Sequence, residues 1–144
     1  MPKWEVHDTW AEKLGLSREV VEFVNHVSDF PDRSQEFMDF CKRDGERIVL
    51  QLAQAHDFET IMKIPKYLQL AFVRQKGGVY VTAWYLHYVL DYIRMAPAFT
   101  AEDVLTRTEA RFEPCNELEL VKKFVRANTE EIVHECRALT DSPE

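Results

Sequence analysis

The stretch Val79–Met95, VYVTAWYLHYVLDYIRM, decides the fold. Its apolar and aromatic side chains point nearly all the way round a helical wheel, so a helix built from it must be buried on most sides. Val and Tyr also suit strands, but the length, about five helical turns, favours a helix. This segment is therefore expected to run through the middle of an all-α, single-domain, multi-helix bundle. Two of its few polar residues, His87 and Asp91, stand four apart. That spacing puts them on one helix face, roughly 6 Å apart at Cβ. A buried carboxylate without a partner costs several kcal/mol, so something must satisfy Asp91 if it is buried.

Working outward, the Gly77-Gly78 pair punctuates the chain just before this helix. Upstream, Tyr67, Leu68, Leu70, Ala71 and Phe72 continue a helical pattern that Pro65 can start. Residues 5–15 read as a short helix ending at Gly15. Ser17 then caps a helix with Val20, Val21, Phe23, Val24 and Val27 along one stripe, stopped by Pro31. Asp32 or Ser34 caps a third helix bearing Phe37, Phe40 and Cys41, which Gly45 interrupts before a helical run toward His56. Downstream, Thr100 with Asp103 reads as a capped helix start. One last long helix is expected from about Asn116 to about Leu139, with Leu118, Val121, Val125, Ile132 and Cys136 at helical spacing.

Composition agrees with this reading. With 144 residues, 46% of them apolar, the chain can bury one sizeable core, and only 4 Gly and 6 Pro leave little punctuation for many short strands. The net charge of -7 argues against non-specific nucleic-acid binding, which needs a basic face. No run of about 18 apolar residues exists, so no membrane span is expected. Cys41, Cys115 and Cys136 form no paired motif, and the first residues lack a signal peptide's apolar centre. Reduced thiols in a cytoplasm are the expectation, with Cys136 filling core space.

Candidate chemistry rests on five histidines: His7, His26, His56, His87 and His134. His7 precedes Asp8, His26 is three before Asp29, His56 precedes Asp57, and His87 is four before Asp91. Imidazole with carboxylate suits Zn²⁺, Mn²⁺ or Fe. The bland reading stands beside each pair. His87–Asp91 can be a hydrogen-bonded core pair, His56-Asp57 a cap or turn, and His26 and Asp29 part of a solvated face. His134, among Glu130, Glu131 and Glu135, reads as surface. There is no Gly-rich phosphate loop and no G-x-S-x-G.

Leu86 to Asp91, with its His-x-x-x-Asp spacing in an aromatic setting, resembles a helix of the zinc-dependent phospholipase C and single-strand nuclease superfamily. Ala55-His56 and the early His7, followed by Trp10, occupy comparable places. The resemblance implies an all-α zinc enzyme with His7, His56, His87 and Asp91 as ligands. The family's histidines after the Asp are replaced here by Tyr92-Ile93-Arg94-Met95-Ala96-Pro97, and Ala138 stands four after His134. The order His26, His56-Asp57, Asp91 also resembles the HD-domain phosphohydrolases.

Both resemblances imply a metal-dependent phosphoester hydrolase. The expected set is His7, His56, His87 and Asp91 on one or two divalent ions, Zn²⁺ foremost, with Asp57 or Asp29 as general base or as orienter of a ligand. The substrate class is a small-molecule or lipid-like phosphoester. The alternative is a non-catalytic helical interaction module in which the His/Asp pairs are buried structural hydrogen bonds.

Overall fold

The computed structural model describes residues 4–53 and 64–138, and no strand occurs among them. The elements are α1 (Trp4–Leu14), α2 (Arg18–Asp29), a 3₁₀ turn (Pro31–Arg33), α3 (Gln35–Phe40), a π turn (Cys41–Gly45), α4 (Glu46–Ala53), α5 (Ile64–Lys76), α6 (Gly78–Met95), α7 (Ala101–Arg111), α8 (Asn116–Ala127) and α9 (Thr129–Ala138). The all-α expectation is met.

Local chemistry sets most boundaries. Gly15, at φ +95°, ends α1 in a left-handed conformation open to glycine. The Ser17 hydroxyl accepts from the Val20 amide at 3.3 Å and starts α2. Pro31 begins a separate 3₁₀ turn, so the cap of α3 falls to Ser34, which accepts from Phe37 N at 3.3 Å. Thr100 and Asp103 exchange bonds of 3.0 Å in both directions, a complete capping box on α7. Cys115 Sγ accepts from Leu118 N at 3.4 Å and opens α8.

Two expectations are corrected. Gly45 does not break the chain: Cys41–Gly45 widens into a π turn that runs straight into α4. The last long helix divides at Asn128, whose backbone leaves helical geometry at φ -128°, ψ 24°. The Asn128 side chain donates to Phe124 O at 2.9 Å, the local side-chain bond through which Asn competes with a continuing helix. The apolar stripe carries across the break, because Val125 and Ile132 are both fully buried.

Helix α6 is the axis of the bundle and packs against α1, α2, α5, α7, α8 and α9. Trp84, Tyr85, Leu86, Val89, Leu90 and Ile93 are at most 1% exposed. Full burial of such side chains contributes roughly 1.5–3 kcal/mol each. Cys136 is buried as core, and no helix of the described residues is long and apolar enough to cross a membrane. The packing of α1 and α2 on one side of α6 brings three distant segments to His87.

Candidate metal centre

Two helical i,i+4 pairs face each other at this junction. Helix α2 presents Asn25 and Asp29; α6 presents His87 and Asp91; α1 adds His7 and Trp4. His87 is 3% exposed and lies between them. Its Nε2 is 3.1 Å from Asp29 Oδ1 and 3.2 Å from Asp91 Oδ2. Its Nδ1 is 2.9 Å from Asn25 Oδ1.

The proton positions follow from the donor inventory. The Asn25 amide nitrogen donates to Asp8 Oδ1 at 3.0 Å, because a carboxylate can only accept. Asn25 therefore turns its carbonyl oxygen to His87, and Nδ1 of the ring must carry a hydrogen. Nε2 then faces two carboxylate oxygens. Only a positive centre belongs there, either a proton or a metal ion. As a proton it makes His87 an imidazolium. Burial pushes that imidazole down, but the bonds to Asp29 and Asp91 more than offset it and hold it above its ordinary value.

His7 completes the group. It is 2% exposed, its Nε2 lies 3.0 Å from Asp91 Oδ1, and burial lowers it, so it is a neutral ring donating to that carboxylate. Asp91 thus has one oxygen on each histidine. Burial raises its carboxyl, yet the bonds from His7 and His87 outweigh burial and keep it well below the usual carboxylate range. Asp29 is likewise lowered: burial works against it, and bonds from His87 and from Trp4 Nε1, at 2.5 Å, prevail.

Ligand atoms of His7, His87 and Asp91 all lie within 4.8 Å of one another, which admits a single ion. The edge of a tetrahedral zinc site is about 3.4 Å for bonds of roughly 2.1 Å, so the measured donor separations need only a small opening. Charge fits as well. Two carboxylates and one imidazolium leave one negative charge, whereas a divalent ion in place of the proton leaves none. One adjustment is required. The His7 and His87 rings are stacked, with centroids 4.0 Å apart and planes 10° apart, so their nitrogen lone pairs run side by side. One ring must tilt out of the stack for both to meet one ion.

The chain matches no family model, no curated protein and no solved structure. What can be said of the site therefore rests on its own geometry.

Of the residues expected from the sequence, His7, His87, Asp91 and Asp29 come together. His56 and Asp57 lie outside the described residues. Asp29 departs from its solvated-face reading, being 11% exposed in its side chain and bonded to His87. One helical position of about 100° decides this for its neighbours. His26 is exposed and meets the Trp4 ring edge-on, at 4.8 Å between centroids, while Asn25 points inward. His134 is exposed, as expected. Sequence reasoning missed Asn25, Asp8 and Trp4. Asn25 had a readable signal, a polar residue inside the stripe of Val20, Val21, Val24 and Val27.

Proposed function

We propose that this protein binds a divalent metal ion, Zn²⁺ first and Mn²⁺ or Fe next, through His7, His87 and Asp91, and uses it to hydrolyse a small phosphoester. The observation that carries this reading is His87 Nε2, held toward two carboxylate oxygens while its other nitrogen is committed to Asn25. Such orientation of a histidine by a second residue is the usual support of a metal ligand. A bound ion would supply Lewis-acid activation of water and of a phosphoryl oxygen. Asp29 is the general base in this scheme. Loss of the His87 Nε2 proton to the ion releases Asp29 Oδ1, while Trp4 holds Oδ2 in place.

The interaction-module reading is favoured by a different observation. The cluster closes on itself through protein hydrogen bonds alone, from Asp8 through Asn25 and His87 to Asp91 and His7. Metal analysis of untagged protein separates the two. The hydrolase reading expects stoichiometric metal that disappears in both His87→Ala and Asp91→Ala, together with metal-dependent turnover of phosphoesters. Metal-free wild-type protein after growth and dialysis with Zn²⁺ or Mn²⁺, with only stability lost in the variants, would sink it.

A further inference from the structure

A cleft of about 380 Å³ opens beside Asp91, between α5, α6 and α7. Lys66, Arg111, Tyr88, Tyr92 and Met95 line it with Asp91. That volume falls in the range of sites for small organic ligands. Its place matters more than its size. The His7 and His87 side chains are each 3% exposed, whereas that of Asp91 is 22% exposed. A molecule reaching the cluster from this cleft meets Asp91 first.

The walls are unusual for this chain. The protein carries a net charge of -7, yet this cleft gathers two cations around a single carboxylate. Arg111 is also pre-positioned. Its Nη1 donates to the Tyr88 hydroxyl at 3.0 Å, its guanidinium lies 5.1 Å from the Tyr92 ring centroid, and its backbone carbonyl accepts from Tyr67 Oη at 2.7 Å. A guanidinium held in this way loses little freedom on gripping an oxyanion, and its planar fork matches phosphate oxygens. The Tyr88 and Tyr92 rings and the Met95 side chain add apolar surface suited to a planar organic group.

We infer that this cleft binds the substrate as a small phosphomonoester of an aromatic alcohol, with Arg111 and Lys66 on the phosphoryl oxygens and Tyr88, Tyr92 and Met95 against the aromatic group. This inference rests on the metal-site reading for its chemistry but not for its binding. The probe is phenylphosphonate, which cannot be hydrolysed at its P–C bond. It is titrated calorimetrically into the full chain with and without Zn²⁺, and metal content is measured on every sample.

Arg111→Lys keeps the charge and removes the fork, and about tenfold weaker binding with zinc content intact is expected. Lys66→Ala, on a partly exposed side chain, is expected to weaken binding severalfold and provides the test should Arg111→Lys fail to fold. Methylphosphonate, lacking the ring, and benzoate, lacking the phosphoryl group, should each bind about tenfold more weakly than phenylphosphonate. Wild-type affinity in both folded variants, or zinc-loaded protein that ignores phenylphosphonate, overturns the inference and leaves the metal site standing. Metal-free protein that still binds phenylphosphonate through Arg111 would reject the hydrolase reading and keep the cleft as an anion site. Preference for benzoate would overturn the phosphomonoester.

Discussion

Asn25→Leu tests the central geometric argument. Asn25 is 2% exposed and makes two side-chain bonds, one to His87 Nδ1 at 2.9 Å and one to Asp8 Oδ1 at 3.0 Å. Leu has nearly the same shape and no polar atoms. Asp8 is exposed, so water replaces its lost bond at little cost. The His87 Nδ1–H is enclosed and has no such substitute. Leaving one buried donor unpaired costs about 1–3 kcal/mol. For a chain of this size, about 2 kcal/mol corresponds to a fall in Tm of roughly 4–8 °C. The metal effect is separate. With Asn25 gone, nothing fixes which nitrogen carries the hydrogen, and affinity should fall about 10–100-fold. Urea or thermal unfolding in chelator measures the first effect, and competition against a zinc-binding dye measures the second. A destabilised variant that holds zinc as tightly as wild type would refute the role given to Asn25 and the assignment of Nε2 to the ion.

The remaining predictions concern pH and the backbone. In the metal-free protein the folded carboxyls of Asp91 and Asp29 lie below their ordinary value of 3.8, so their stabilisation is present above that pH and is lost as pH falls through their folded values. His7, lowered from 6.5, likewise favours the fold above that value and withdraws support below it. His87 has the opposite sign: raised from 6.5, it stabilises fully below that value and loses its contribution as pH rises through its folded value. Urea midpoints should therefore decline on the acid side, and Asp91→Asn should flatten that decline; an unchanged acid limb in the variant would contradict the bonding described. Gly77 sits at φ +136° with open space around its Cα, so Gly77→Ala should cost more than about 1 kcal/mol in urea unfolding through strain alone. Gly78 begins α6 without that strain, and an added Cβ meets only the mobile Glu117 carboxylate at 3.2 Å, so Gly78→Ala should be close to neutral. Equal losses at the two glycines would contradict this account.

Much of the fold was legible because it depends on local chemistry. The Ser17 and Thr100 caps, the Gly15 and Gly77 stops and the buried run of α6 all depend on residues within a few positions of one another. The misreadings came where local rules allow two outcomes. Gly45 can break a helix or ride in a π turn, and Asn128 can sit within a helix or end it; packing on both flanks made the choice.

The site divides the same way. The sequence by itself determined that His87 and Asp91 share one helix face, since four residues of helix rotate by about 400° and return to it. Burial of that face followed from its aromatic neighbours. Only the tertiary structure decided what meets the pair. His7 lies 84 positions from Asp91, and Asn25 lies 62 from His87. No periodicity carries across such intervals. It also decided between neighbours on α2, turning Asn25 and Asp29 inward and His26 to solvent, because the valine stripe fixes the rotation of that helix against α6. The spacing that first drew notice names half of the cluster. The crossing of α1 and α2 over α6 supplies the other half, along with the hydrogen bonds that set which nitrogen of His87 faces the carboxylates.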